Sequence, residues 1–554
     1  MYVETRPDLR LEVAGRELSA GRAGEPESAG WHRGYYLLGV LAAVLLVFLM
    51  VPMVWTVVRA FGGDGAVLGN FGAVLTDPGT MAAGLRSLVW VVIALLLVAL
   101  GYGIARLSRL VHGLWRVLLY VLILPFGVSA LASGAVFRMI FDPVPERGMA
   151  SALFGGGIVW LGPELIWLVL ASAFAWTWLG FIVVLFRAGL DADPGHRRAG
   201  PVTTIVVLTV LVAAIRVFDL VLIAAPASVR DDVDVVGLRW WRMVSESTRD
   251  GEPAALAVVL FLAVAAIALF GVRAGPSRPE RSTSDREPAQ DPHRGWSWVI
   301  GIGVGVLWLL PAVILVATAL HEPAAAGSAG WWRPAGLGLG SFAAVADAGL
   351  GSALIGNVLL VALTIALVVA AAVPAAYLLV WGRLPAWLSR GLTMLLVVLA
   401  VAPVQMYAGP LGEAFTSLGL TGSRTPLVLV HAAAGLPFAI LVLRTAFDAA
   451  PVANVRDGRP LLDTVWRRGR YRPALIAVVV LELILVWNDF IVGFLIGGPG
   501  QTPFTLLLWG EARQFGTSAG TVAALSVVSA VVPVAVLLAT WPRVVAGLTG
   551  GVLR

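Results

Sequence analysis

The stretch LELILVWNDFIVGF, residues Leu481 to Phe494, decides how this chain is read. It is apolar enough for a bilayer, yet it carries Glu482, Asn488 and Asp489. A charge at the bilayer centre costs roughly 2.5–3.5 kcal/mol on insertion scales, so such residues face a bundle interior or a watered path, not lipid. Glu482 and Asp489 are seven residues apart. On one continuous helix that spacing returns them to one face, two turns apart, with Asn488 on the adjoining face beside Trp487.

The rest of the chain has the same texture. Of its 554 residues, 59% are hydrophobic and 13% charged, against about 25% charged in soluble proteins. Apolar runs near the roughly 20 residues needed to cross a bilayer recur throughout. They predict an all-α polytopic membrane protein with about twelve transmembrane helices, at 35–60, 87–105, 117–137, 165–186, 202–224, 254–272, 296–320, 353–381, 391–409, 425–443, 474–494 and 519–540. The net charge of +6 sits in short loops and does not signal nucleic-acid binding. There is no cysteine and no lysine. That excludes disulfides and thiolate metal sites, and a P-loop, whose Lys must reach the phosphates.

Residues 1–34 mix acids and arginines and read as a cytoplasmic tail, not a signal peptide, since the apolar run from Tyr35 is too long for one. The segment RAGPSRPERSTSDREPAQDPHRG has the Pro, Ser and mixed-charge composition of a linker. It divides the chain into a first half, 35–272, a linker, 273–294, and a second half, 295–554, with six spans in each half. Arginine-rich connections such as RLSRLVHGLWR and RDGRPLLDTVWRRGRYR fall on one side, which places both termini and the linker in the cytoplasm. The two halves read as parallel repeats. Span five, PVTTIVVLTVLVAAIRVFDLVLI, parallels span eleven, PALIAVVVLELILVWNDFIVGFLI: each opens on a proline and reaches an aspartate, Asp219 or Asp489. Repeats of this kind place a ligand path at their interface near mid-membrane.

The polar residues carry two readings each. Arg216 and Asp219, three apart on span five, can pair on a helix and serve packing alone. Glu482 can be a protonated, buried packing group, and Asn488 with Asp489 a path-lining pair or a helix–helix contact. Trp176 and Trp178, in AFAWTWLG, can stack on a ligand or pack the core. No catalytic or metal set is present: HEPAA lacks the second histidine of a zinc helix, and there is no G-x-S-x-G.

VWNDF at Val486–Phe490, with the turn GGPGQTPFTLLL and the ending GLTGGVLR, resembles the maltose-transporter-type inner-membrane permeases of ABC sugar importers, nearest the α-glucoside branch. LPFGVSALASGAVFRMIFDPVPERG, AFAWTWLGFIVVLFRAGL and IRVFDLV, the last containing Phe218, resemble the partner permease. The resemblance covers most of 35–554 and implies two fused permease subunits. It implies import of an oligosaccharide delivered by an extracytoplasmic sugar-binding protein. A cytoplasmic ABC ATPase dimer would hold ATP-Mg and hydrolyse it; this chain carries no cofactor and is no enzyme. The path would be lined by Asn488, Asp489, Trp487, Glu482, Arg216, Phe218, Asp219, Trp176 and Trp178. The family's ATPase-coupling loop is retained in part in the second half, at Asp457, Gly458, Trp466 and Arg467, without its E-A-A. The first half has lost nearly all of it in RAGLDADPGHRRAGP. This erosion leaves two other readings: a non-transporting sensor or assembly protein on a permease scaffold, and an ion-coupled transporter using Glu482, Asp489 and Arg216 as a relay.

Overall fold

Pro125 in LPFG and Pro403 in APVQ stand inside apolar runs, and each marks a place where a helix cannot continue unbroken. A computed structural model describes residues 29–62, 67–108, 115–192, 200–246, 250–274, 294–328, 330–382, 384–448, 471–498, 503–513 and 515–548. Two runs of ten helices follow one another with the same order. The first comprises α1 (Ala29–Phe61), α2 (Gly69–Thr76), α3 (Pro78–Leu107), α4 (Trp115–Ile123), α5 (Ala130–Ile140), α6 (Ile166–Ala192), α7 (Gly200–Ile215), α8 (Asp219–Ala224), α9 (Val236–Glu246) and α10 (Gly251–Ala274). The second comprises α11 (Arg294–Ala319), α12 (Gly340–Asp347), α13 (Leu350–Trp381), α14 (Ala386–Ala400), α15 (Ala408–Ser417), α16 (Thr425–Asp448), α17 (Arg472–Trp487), α18 (Ile491–Ile496), α19 (Phe504–Ala512) and α20 (Phe515–Leu548). Each helix of the first run has its counterpart ten labels later. Even the short α2 and α12 share a pattern, GNFGAV against GSFAAV.

Among the described residues, eight helices are long and apolar enough to cross a membrane: those within α1, α3, α6, α10, α11, α13, α16 and α20. The remaining four expected spans are not straight helices. The third is the pair α4–α5, bent by 102° at Leu124–Gly127. The ninth stops at Ala400 and resumes, after a tight turn at Val404–Met406, as α15. The fifth breaks between Ile215 and Asp219, and the eleventh between Trp487 and Ile491. The apolar pattern alone could not separate a straight span from a broken one, because both bury the same surface.

The first helix of each half packs against its own half's last span and also against the other half. α1 lies on α10, α13 and α16; α11 lies on α20, α4 and α5. The exchange is tied by hydrogen bonds to backbone freed at the bends. The Thr56 hydroxyl of α1 donates to the Met406 carbonyl at 2.7 Å, and the Trp308 indole of α11 donates to the Leu122 carbonyl at 3.2 Å. Non-helical backbone in a membrane requires such partners. Replacing Trp308 by phenylalanine keeps the ring and removes the donor. It should lower the melting temperature of the detergent-solubilised chain by about 1 °C, as loss of one buried bond of about 1 kcal/mol implies in a chain of this size; an unchanged melt would mean that the bend is held by packing alone.

Of the expected linker, 273–294, all but the ends at 273–274 and 294 lies outside the described residues. Its cytoplasmic placement has a direct check in this cysteine-free chain. A cysteine at Ser282 should react with an impermeant thiol reagent only after the cells are opened; reaction in intact cells would reject the orientation.

Candidate functional site

Asn and Asp side chains compete with the helix for its own backbone, so such residues in an apolar span are natural places for a break. Asn488 ends α17. The Asp489 carboxylate Oδ2 accepts from the Val492 and Gly493 amides at 3.0 and 3.1 Å, which starts α18. His431 of α16 places Nε2 3.7 Å from the same oxygen. The Asp489 carbonyl accepts from the Thr505 hydroxyl at 2.5 Å, and the Trp487 carbonyl from the Asn357 amide at 3.3 Å. The broken backbone is therefore supplied with partners from two other helices, and its carboxylate with a neighbour from a third.

Asn488 reaches across the two halves. Its Nδ2 donates to the Gly127 carbonyl at the bend of α4–α5, at 3.2 Å. Its Oδ1 is buried without a hydrogen-bond partner among the described residues. The break of the first half mirrors this. A methyl group added at Gly237 of α9 would lie 3.5 Å from Gln405 Nε2 and 3.7 Å from Phe218 Cβ. The break after α7 thus faces the tight turn of the second half. Phe218 and Phe490, one from each half, stack with ring centres 6.3 Å apart and planes at 22°. Trp241, Phe494 and Trp509 extend that aromatic cluster. Four helix breaks, two from each half, meet at the centre of the molecule.

Arg216, Asp219 and Asp489 lie within electrostatic reach of one another. Among the described residues no ion pair joins Arg216 to Asp219. The helix ends at Ile215, so the three-residue spacing no longer puts the two on one helical face. Helical spacing no longer relates Glu482 to Asp489, because α17 stops at Trp487 between them. Glu482 is 1% exposed and faces α16, where a methyl at Gly435, four residues on from His431, would meet its Oε2 at 2.3 Å. Its Oε1 has no partner among the described residues.

The tryptophans divide from the central group. Trp487 is buried and donates to the Ser529 carbonyl of α20 at 2.8 Å. Trp176 donates to the Trp308 carbonyl at 2.9 Å and packs on Phe137. Trp178 packs among Phe126, Phe174 and Phe181. Each thus belongs to the packing between spans, one layer behind the breaks. His431, Gln405 and Tyr407 were missed. A lone histidine or glutamine carries no periodic signal, and only the PV and PF breaks hint that the third and ninth spans turn inward. Asp457, Gly458, Trp466 and Arg467 lie outside the described residues.

An all-α bundle with eight helices long and apolar enough to cross a membrane among the described residues, and with broken apolar helices meeting between them, defines a class: a multi-pass transmembrane permease of the inner membrane. No family model matches the chain. Over 268 residues it is 28% identical to the Osmoprotective compounds uptake permease protein GgtD of Synechocystis sp., a match covering 45% of this chain and 89% of that relative. Nearly a whole permease therefore aligns with less than half of this polypeptide. The likeness to an uptake permease agrees with the resemblance carried by VWNDF.

Proposed function

We propose that the chain is a fused pair of permease units that conducts a small polar solute of carbohydrate type through the membrane, driven by a separate ATPase. The observation that carries this reading is the meeting of four helix breaks at the interface of the halves. Discontinuous helices near the midplane expose backbone and polar side chains where a solute crosses. The relative's role in uptake of osmoprotective compounds points to the same kind of solute. A cytoplasmic ATPase dimer and an extracytoplasmic binding protein are the partners such a permease needs. The sensor reading gains no support from a central site built this elaborately.

Asn488→Leu is the test. It removes the bond to Gly127 and the orphaned Oδ1 without adding charge. One hydrogen bond is worth about 0.5–1.5 kcal/mol net. Sugar uptake by cells carrying the full system should fall several-fold while the amount of folded chain in the membrane stays level. Uptake equal to wild type would remove Asn488 from the path. A second test concerns coupling. Deleting 456–468 should abolish co-purification of an ATPase, whereas scrambling 191–199 should do less; equal loss from both would reject the asymmetry.

A further inference from the structure

An arginine in a membrane bundle normally finds a carboxylate or a row of carbonyls, because an unpartnered guanidinium away from water is costly. Arg138 and Arg230 follow that rule: they donate to the carbonyls of Ile223, and of Leu222 and Ala225, at the end of α8. Arg216 does not. It stands exposed at the break after α7, between buried Ile215 and buried Val217, and enters no hydrogen bond or ion pair among the described residues. The groups within its electrostatic reach are Asp219 of its own half and two residues of the other half, Asp489 and Tyr407. Tyr407 follows the tight turn at Val404–Met406, is 3% exposed, and its hydroxyl has no hydrogen-bond partner among the described residues either.

The carboxylates differ in what they have left to offer. Asp489 is occupied by two backbone amides and lies beside His431. Asp219 begins α8 and is held by its own backbone amide, with no partner from another residue's side chain among the described residues. The groups at the break with bonding capacity to spare are therefore a guanidinium with five donors, a phenol, a carboxylate, and, on the equivalent break of the other half, the Asn488 Oδ1. They are bordered by the stacked Phe218 and Phe490. Donors and acceptors in this mixture suit neighbouring hydroxyl groups. An anionic ligand would gain from Arg216 and lose against Asp219 and Asp489 together.

We infer that Arg216 and Tyr407 anchor the transported solute from opposite halves, and that Asp219 beside them selects for charge, admitting neutral hydroxyl-bearing solutes and rejecting their carboxylate analogues. This assignment rests on the carbohydrate-permease reading above and adds the residues that discriminate.

The full-length chain in lipid nanodiscs serves for the test, with radiolabelled maltose, trehalose and sucrose as neutral probes. The tightest of these is then compared with its analogue oxidised at the 6-position to a uronic acid. The wild type should bind the neutral sugar at least about tenfold more tightly than the acid, as a charged-group discrimination of 1.5–3 kcal/mol implies. Arg216→Gln and Tyr407→Phe should each weaken the neutral sugar several-fold. Asp219→Asn keeps size and hydrogen bonding, and should narrow the discrimination about tenfold by admitting the acid. Melting temperatures of all variants separate recognition from folding. Three results would overturn the inference with the permease reading intact: neutral binding indifferent to Arg216→Gln and Tyr407→Phe, an acid bound as well as the neutral sugar by the wild type, or a discrimination unmoved by Asp219→Asn. Failure of the wild type to bind any neutral probe would instead remove the carbohydrate reading and this inference with it.

Discussion

A valine at position 180 should leave no folded protein in the membrane, and an alanine very little. Gly180 lies in α6 where that helix crosses the end of α4. A methyl group there would sit 1.7 Å from the Leu122 carbonyl oxygen and 2.6 Å from its carbon. Both are backbone atoms, so no rotamer change relieves the overlap, and the helices must separate. Overpacking a well-packed core costs about 1–3 kcal/mol and occasionally more. A backbone collision belongs at or above the upper end. The damage would spread, because the same carbonyl accepts the Trp308 indole that ties α11 to the first half. Small residues serve this purpose in membrane bundles, where close packing drives association. Gly84 on α3 is the control, since a methyl there meets nothing within 4 Å. Gly84→Ala should be neutral or slightly stabilising, by up to about 1 kcal/mol of helix propensity. Fluorescence-detected size exclusion of tagged variants reads both results. A folded, monodisperse Gly180→Val protein would show that the α4–α6 crossing is looser than described.

Asp489→Leu should be nearly as damaging, whereas Asp489→Asn should be mild. The carboxylate holds the first turn of α18 through the Val492 and Gly493 amides. Leucine would leave two amides without acceptors, at about 1–3 kcal/mol each for a buried donor. The turn carrying Phe490 would then lose its anchor, and with it the stack on Phe218. Asparagine keeps an oxygen in the same place, so the turn and most of the uptake should survive. A proton relay predicts the opposite for asparagine, since only the acid titrates. Melting curves of the purified variants, with uptake measured in the presence and absence of an imposed proton gradient, decide between them. Gradient-driven, ATP-independent uptake that disappears in Asp489→Asn would replace the importer reading by an ion-coupled one.

Much of the architecture was legible in the apolar runs. Hydrophobic length reports burial in lipid directly, so the eight membrane-length helices among the described residues fall where the apolar runs lie, and the order of helices repeats. Asn488 and Asp489 could be singled out because polar groups in oil are costly and rare. What periodicity could not convey was where a helix stops. The expected pairing of Arg216 with Asp219, and the shared face of Glu482 with Asp489, both assumed an unbroken helix. The breaks at 216–218 and 488–490 cancelled that assumption. Trp176 and Trp178 looked equally suited to ligand or core, and their partners on α11 and among the phenylalanines decided for the core.

The sequence by itself determined that this chain lies in a membrane, that it is all helix, that it is built twice over, and that a few polar residues sit deep within it. These follow from composition and local spacing, which the solvent reads residue by residue. Only the tertiary structure decided which polar groups meet. The exchange of α1 and α11 between the halves, the four breaks at the centre, and the approach of Tyr407 to Arg216 join residues roughly 190 to 360 positions apart. Their partners are chosen by backbone groups that broken helices leave unsatisfied, and that demand is met across space by whichever side chain the packing brings within reach.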